Sequence, residues 1–144
     1  MQRSRRDPAR AVTTAALLLS ALMWVPAVSV PRATADTPNV QSFKSPSGNI
    51  HCEVDVQRAG ASDGAYCMSV NPPQHALIGP DGAFKDVCTN DMSCLSNGPV
   101  DESVLPYGQS TGIGPFMCHS EQSGMTCTAN GKGFTISSSG IAPV

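Results

Sequence analysis

The sequence predicts a small all-β domain of antiparallel hairpins, stapled by disulfide bonds, with little or no helix once an N-terminal signal is removed. Its 144 residues include six Cys, 13 Gly and 12 Pro. An even number of Cys in so short a chain is typical of a disulfide framework formed in an oxidising compartment. Short runs of alternating apolar and polar residues recur between turn residues, and Gly or Pro interrupts most windows that a helix would need.

Residues 1–35 have the pattern of a cleaved Sec signal peptide. Four Arg among the first ten residues precede an uncharged stretch over residues 11–30. That stretch has about the length of a membrane span, so a membrane anchor is the alternative. Pro26 interrupts the stretch, and Ala33-Thr34-Ala35 is an A-x-A cleavage site. We therefore expect cleavage between Ala35 and Asp36, secretion to the extracellular space, and no stable membrane anchor afterwards.

The predicted mature chain divides into a flexible leader over residues 36–41, a disulfide-stabilised β domain over 42–137 and a flexible tail over 138–144. It keeps four basic and ten acidic residues, a net charge of −6. A nucleic-acid-binding protein needs a basic stripe, and this composition offers none. Leu, Ile, Val and Phe together make up 20 of its 109 residues. So thin an apolar complement indicates that the disulfides carry much of the stability.

Two hairpins are predicted in the first half of the domain. Strict alternation over Asn49–Val56 indicates a half-buried strand, and Tyr66–Val70 returns as its partner after a polar, Gly-containing loop. Ala76–Ile78 and Ala83–Val87 flank the turn Gly79–Gly82, in which a Pro presets φ and a Gly permits positive φ.

The middle of the chain reads mainly as loop, over residues 88–103. After it, Val104–Gly108 is predicted to form at most a short edge segment, because Pro106 has no N–H to donate to a ladder. Tyr107 in this segment presents an aromatic side chain either for ligand contact or for packing over the core, and packing is favoured.

The second half contains a third hairpin and a final strand. Phe116–Ser120 and Met125–Ala129 flank a four-residue turn, and an Asn-Gly pair then leads into Phe134–Ser137. The segments Ser45–Cys52 and Ser120–Cys127 both run from a Ser through Ser-Gly to an apolar residue and a Cys. This likeness raises internal duplication as a possibility, with chance similarity of short Ser/Gly stretches as the favoured alternative.

Six cysteines allow 15 disulfide connectivities, and the hairpins bias the choice. Cys118 lies opposite Cys127 if the third hairpin turns over residues 121–124. By the same argument Cys52 and Cys67 lie on consecutive strands, which leaves Cys88 to pair with Cys94. Structural zinc is the alternative, but the chain has no C-x-x-C and its Cys spacings match no zinc-finger pattern.

One motif suggests a nucleophile. Gly60–Gly64 matches G-x-S-x-G, so Ser62 with Asp81 or Asp86 and then His119 has the chain order of a hydrolase triad. That motif needs a helix after the serine, whereas the following segment reads as a strand ended by Pro-Pro. A polar hairpin loop is the favoured interpretation, and we expect no catalytic residue.

The sequence contains candidate metal ligands but no recognised metal-binding spacing. His51, His75 and His119 are candidate ligands, and copper(I) would add Met side chains, namely Met68, Met92, Met117 and Met125. His51 and His119 each adjoin a Cys, which places them on the face opposite the bridge, towards solvent. The acidic middle of the chain lacks the spacing of an EF-hand loop. We expect no metal and no cofactor.

Several segments together resemble a known family. They are Phe43–Cys52, Leu105–Gly108, Cys118–Cys127 and Gly131–Ser137, and the first matches the pattern F-x-S-P-S-G-N-I-x-C. The chain is similar over nearly its whole mature length to a family of small exported Cys-rich proteins of actinobacteria, mycobacterial in type. The resemblance implies secretion and an actinobacterial source, and it brings no enzyme activity and no catalytic residues.

These observations favour a secreted binding or interaction module over an enzyme. Its polar, Gly-rich loops would present the binding surface. The expected partner is an extracellular protein or a component of the cell envelope, and the expected state is a monomer. Two alternatives stay open: a small cell-envelope hydrolase that uses scattered Ser, His or Asp residues, and a purely structural envelope protein.

Overall fold

A computed structural model describes residues 39–144. The predicted signal segment, the cleavage site between Ala35 and Asp36 and residues 36–38 of the predicted leader lie outside the described residues. Within residues 39–144, no helix is long and apolar enough to cross a membrane.

The prediction of an all-β fold is confirmed. Sheet A contains six strands in the order β5-β4-β3-β2-β1-β6, which are β1 Val40–Lys44, β2 Ile50–Asp55, β3 Gly64–Ser69, β4 Gln74–Ile78, β5 Phe84–Thr89 and β6 Ser103–Val104. Sheet B contains five strands in the order β11-β10-β9-β8-β7, which are β7 Ser110–Thr111, β8 Phe116–Glu121, β9 Gly124–Ala129, β10 Lys132–Ser137 and β11 Gly140–Pro143. All neighbouring strands are antiparallel except β1 and β6. A single 3₁₀ turn, Met92–Cys94, is the helical element of the described part.

The predicted hairpins form for the reasons that their sequences suggest. In β2 the apolar residues are buried and the polar residues between them are half-buried, as the alternation requires. Asn130 and Gly131 both have positive φ, 53° and 75°, which matches the two-residue turn that Asn-Gly favours. Gly82, the last residue of the turn before β5, has φ 73°.

The core lies between the two sheets, with β10 packed across β3 and β4. Its centre is one cross-strand row from each sheet: Phe43, Cys52, Cys67 and Ala76 from sheet A, and Cys118, Cys127 and Phe134 from sheet B. All seven are at most 1% exposed.

Three disulfides join the pairs that the hairpin argument favours: Cys52–Cys67, Cys88–Cys94 and Cys118–Cys127. The first and third each bridge directly opposed residues of neighbouring strands. They meet in the core, where the Cys67 Sγ lies 3.5 Å from the Cys127 Sγ. The sulfur atoms therefore fill the centre of a domain that is poor in large apolar side chains.

The two segments that look alike in sequence occupy equivalent places in the two sheets. Phe43 lies opposite Cys52 at the start of the first hairpin, and Cys118 lies opposite Cys127, with the same separation along the chain. Each hairpin then continues through two more antiparallel strands, so β1 to β4 match β8 to β11 in order. This correspondence strengthens the case for internal duplication.

Parts of the segments predicted as a flexible tail and a flexible leader form strands. Residues 140–143 form β11 along β10, and Val144 exchanges two backbone hydrogen bonds of 3.1 Å with Gly133. At the other end, Val40 and Gln41 begin β1 opposite Asp55 and Val54. Both segments are too short to show a clear alternation, and the pairing depends on a partner strand that local composition does not reveal.

Candidate ligand-binding cleft

A polar layer closes one end of the sandwich, where the β1–β2, β8–β9 and β10–β11 turns lie. Ser45, Ser69, Gln74 and Ser120 are the buried polar residues of the described part, each at most 4% exposed. Three of them belong to one cross-strand row, since Ser45 bonds Ile50, Ile50 lies opposite Ser69, and Ser69 opposite Gln74. Burying such groups costs stability unless each is hydrogen-bonded.

Most of this layer is satisfied internally. The Ser45 Oγ accepts a hydrogen bond from the Ile50 N at 3.1 Å. The Asn49 amide donates to the Ser69 Oγ at 3.0 Å, and the Gln74 amide donates to the Ser137 carbonyl at 2.6 Å. The exception is Ser120, whose hydroxyl is buried without a hydrogen-bond partner in the described residues.

The difference between Ser45 and Ser120 comes from their turns. Four residues separate the opposed pair Ser45 and Ile50, which leaves the Ile50 N–H within reach of the Ser45 hydroxyl. The β8–β9 turn is tighter, because its last opposed pair is Glu121 and Gly124. The ladder continues past Ser120, so its hydroxyl finds no free backbone group.

A cleft of about 230 Å³ opens at this end of the sandwich, and Ser45 is the residue of the polar layer that lines it. Four stretches of chain that are far apart in sequence form its walls, namely the β1–β2 turn (residues 45–50), Tyr107, the β8–β9 turn (121–124) and the β10–β11 turn (137–138). Sequence motifs that look unrelated along the chain thus converge on one site.

The polar groups of the cleft fall into two classes. The Asn49 amide is committed, because it also donates to the Asn71 carbonyl at 2.9 Å while its oxygen accepts from the Asn71 N. The Ser47 Oγ lies 2.9 Å from the Ser45 Oγ. By contrast, the side chains of Gln122 and Ser123 make no hydrogen bond to other described residues and are exposed. These side chains are free to bind a ligand.

The charge of the cleft is small. Of the described residues, Glu121 is the one carboxylate that lines it, and no Lys, Arg or His does. Two of the basic residues of the described part are engaged elsewhere: Arg58 pairs with Glu53 and Asp55 at 3.1 and 3.0 Å, and Lys85 lies 3.7 Å from Asp81. The site is therefore unsuited to an anionic ligand, which needs cations or a cluster of N–H groups.

Two further cavities lie among the described residues. One of about 440 Å³ is lined by Ser62, Asp63, Leu77, Pro80 and Lys85, and it has no buried polar layer beneath it. Another of about 320 Å³ lies beside Tyr66 and residues 96–100.

The second of these cavities adjoins a segment that crosses the outer face of sheet A. We call residues 90–102 the strap. Its contacts to the sheet include a bond of 3.0 Å between the hydroxyls of Tyr66 and Ser96 and one of 2.7 Å from the His75 Nδ1 to the Cys94 carbonyl. The Cys88–Cys94 bridge fastens the end that follows β5.

Burial under the strap raises the pKa of the Tyr66 phenol above its ordinary value, the Ser96 bond opposes this rise, and the Asp86 carboxylate adds to it. The strap therefore covers the outer face of sheet A. It is held there by polar contacts that the sequence does not predict.

The candidate metal ligands are not brought together. His51 is half-buried instead of facing solvent, because the end of the strap contacts it. Its Nδ1 lies 2.9 Å from the carboxylate of Glu102, the last residue of the strap. His75 bonds Asp86 at 3.0 Å, and His119 lies in the other sheet. Among the described residues, the one cluster with metal-binding proximity is Cys52, Cys67 and Cys127, whose sulfurs are all in disulfides.

The acidic middle of the chain is explained by local structure. The Asp81 carboxylate accepts a hydrogen bond from the Ala83 N at 3.1 Å, which lowers its pKa, and the Lys85 charge adds to the effect. Asp91 accepts from the Ser93 N at 2.8 Å at the start of the 3₁₀ turn, and this bond lowers the pKa of Asp91. These carboxylates stabilise turns.

The predicted triad candidates do not assemble. Ser62 lies in the β2–β3 loop of sheet A, and Asp86 bonds His75, whereas His119 lies in β8 of sheet B. The His119 Nδ1 is 2.8 Å from the Ser110 Oγ, and its Nε2 is 3.9 Å from the Glu121 carboxylate. This Ser110–His119–Glu121 array has triad-like residue types, which sequence reasoning missed because Ser110 lies in a two-residue strand. Ser110 and Glu121 are exposed and His119 is half-buried, and the cavities described above include neither Ser110 nor His119.

No protein-family model, curated protein or solved structure matches this chain. The use of the cleft is therefore inferred from its own geometry and chemistry.

Proposed function

We propose that this chain is an exported binding module whose ligand occupies the cleft at the polar end of the sandwich. The observation that carries the proposal is a cleft that four separate stretches of chain build at the same end of the sandwich as the buried Ser and Gln side chains. A thin-cored domain would gain stability by burying apolar residues there instead. The polar layer therefore serves the cleft.

The proposed location is extracellular, reached by a Sec signal peptide. The Arg-rich start, the uncharged stretch and the A-x-A site support export. The three disulfides suit an oxidising compartment. Expression of the full chain in an actinobacterial host tests this part: the medium should contain a protein that begins at Asp36 and whose mass is six hydrogens below that of the reduced chain. A protein retained in cells with its first residues intact would contradict it.

The proposed ligand is an extracellular protein or a cell-envelope component, and the binding test uses two matched variants. Ser123→Trp fills the cleft from an exposed turn position, and Ser62→Trp places the same side chain in an exposed loop at the opposite end of the sandwich. We expect envelope preparations of the source organism to retain the wild-type protein and Ser62→Trp, and to lose Ser123→Trp. Equal retention of all three proteins, or of none, would contradict a binding role for the cleft.

A hydrolase is the second candidate, because Ser110, His119 and Glu121 lie close together. A serine nucleophile needs oxyanion donors and a site sheltered from water, and the exposed Ser110 lacks the second feature. A fluorophosphonate probe should therefore leave Ser110 unlabelled. Labelling that disappears in Ser110→Ala would replace the binding module with an enzyme.

A further inference from the structure

The chemistry of the cleft narrows its ligand class, and this step rests on the function proposed above. Uncharged hydrogen-bonding groups dominate the lining, with Ser hydroxyls and the Gln122 amide as donors and acceptors, while Glu121 is the single charge. A ligand that matches them offers several hydroxyl or amide groups and carries no negative charge. A divalent cation is a poor match, since hard cations are usually held by several oxygen ligands and more than one carboxylate.

Tyr107 adds a different kind of contact. It is 39% exposed and lines the cleft, so one part of an aromatic ring is open beside the polar groups. The segment that carries it is held firmly: the Leu105 N donates to the Lys44 carbonyl at 2.9 Å, and the Gly108 N donates to the Ser120 carbonyl at 2.7 Å. On a backbone that is held in this way, an aromatic side chain has few rotatable bonds to restrict, so ordering it against a ligand costs little conformational entropy.

An aromatic ring next to clustered hydroxyl and amide groups suits a molecule that has an apolar C–H face and a polar rim. A sugar ring has this structure, because its axial C–H bonds form a face and its hydroxyls project around the edge. The volume of about 230 Å³ is below the ~300–1,000 Å³ of sites for drug-sized ligands. It accommodates one ring and leaves the remainder of a chain outside.

We propose that the cleft binds one neutral saccharide unit, with Tyr107 against the ring face and Gln122 and Ser123 bonding its hydroxyls. A peptide is a weaker match, because extended peptides bind to open strand edges and the cleft is built from turns.

The test uses the protein secreted from the full chain, labelled with nitrogen-15. Glucose, galactose, mannose and arabinose are added one at a time, with glucuronate and a Gly-Ser peptide as probes of other classes. We expect at least one neutral sugar to shift the amides of residues 47–50, 107–108 and 121–124, with a dissociation constant in the millimolar range. Titrations with a disaccharide of that sugar and with its polymer distinguish a site for the free sugar from a site for a chain end. Only a site that recognises a chain end binds the polymer more tightly than the single sugar.

Variants assign the contacts. Tyr107→Ala should weaken binding about tenfold or more, whereas Tyr107→Phe keeps the ring and should stay within about threefold of wild type. Gln122→Ala should weaken binding severalfold, and Ser62→Ala should leave it unchanged. Equal binding by Tyr107→Ala and wild type would overturn the proposal, provided that the amide spectrum of the variant shows it folded.

The two proposals fail in different ways. If no neutral sugar shifts the cleft amides, or if only glucuronate or the peptide does, the saccharide proposal is wrong, while loss of envelope retention in Ser123→Trp still supports a binding cleft. If Ser123→Trp is retained like wild type, the cleft itself is not the binding site and both proposals fall.

Discussion

At the scale of single residues, two serines in equivalent hairpins have opposite roles. Ser45 and Ser120 both lie in the buried polar layer, but the Ser45 hydroxyl accepts a bond from the Ile50 N and the Ser120 hydroxyl has no partner within residues 39–144. An unpaired buried hydroxyl costs about 1–3 kcal/mol, whereas a satisfied one contributes about 1 kcal/mol. The same atom type therefore stabilises one turn and destabilises the other.

We expect Ser120→Ala to raise the free energy of unfolding by about 1 kcal/mol, and Ser45→Ala to lower it by about the same amount. Urea denaturation of the two variants measures both changes. A loss of stability in Ser120→Ala as large as that in Ser45→Ala would show that the Ser120 hydroxyl is hydrogen-bonded after all.

A second residue-scale prediction concerns Gly124, at the end of the β8–β9 turn. A Cβ at this position would lie 2.4 Å from the Ile136 carbonyl oxygen, a backbone atom that cannot move aside. Gly124→Ala should therefore destabilise the protein by about 1–3 kcal/mol. Gly98→Ala is the matched control, because its Cβ would meet only the flexible end of Met68 at 3.4 Å, and its melting temperature should match wild type. A Gly124→Ala variant as stable as wild type would mean that β9 and β10 lie farther apart at this position than the structure shows.

At the scale of elements, the sequence predicts strands well where alternation runs for five or six residues and turns are marked by Gly, Pro or Asn. β2, β3, β8 and β9 are predicted within one or two residues of their observed limits, and their opposed Cys positions follow. β1, β7 and β11 were missed because each is short or only weakly alternating, and its pairing is set by the neighbouring strand. The cleft was missed for a related reason: it is assembled from turns, whose Ser, Gln and Asn residues look the same whether or not they bind a ligand.

The strap provides the element-scale prediction. Because burial raises the pKa of Tyr66 in the folded protein, the unfolded chain loses this proton at a lower pH than the folded protein does. Tyr66 therefore contributes stability that is fully present below about pH 10 and is lost as the pH rises through its folded-state pKa. Tyr66→Phe removes the titrating group, so its stability should fall less than that of wild type above about pH 10. Parallel loss in both proteins would show that the strap leaves Tyr66 in water.

At the scale of the whole molecule, two cross-strand disulfides in contact replace the large apolar core that the composition lacks. The Cys118–Cys127 and Cys52–Cys67 bridges lie fully buried at the centre of the sandwich. The Cys88–Cys94 bridge lies at the edge of sheet A and fastens the strap. The two core bridges should therefore contribute more to global stability than the Cys88–Cys94 bridge, which closes a short loop at the edge.

The corresponding prediction compares two paired substitutions. Cys118→Ala with Cys127→Ala should cost about 3 kcal/mol or more, because a core cavity adds to the entropy released in the unfolded chain. Cys88→Ala with Cys94→Ala should cost about 2 kcal/mol. Urea unfolding of both variants measures the two losses in the free energy of unfolding. A larger loss on removal of the edge bridge would contradict the role assigned to the core bridges.

We propose that the polar end of the sandwich binds the ligand, and a map of backbone-amide shifts tests this most directly. The secreted protein is titrated with the envelope fraction that retains it. We expect perturbations grouped at residues 45–50, 107–108, 121–124 and 137–138. Perturbations grouped instead around Ser62, Leu77 and Lys85, or spread evenly over the protein, would contradict it.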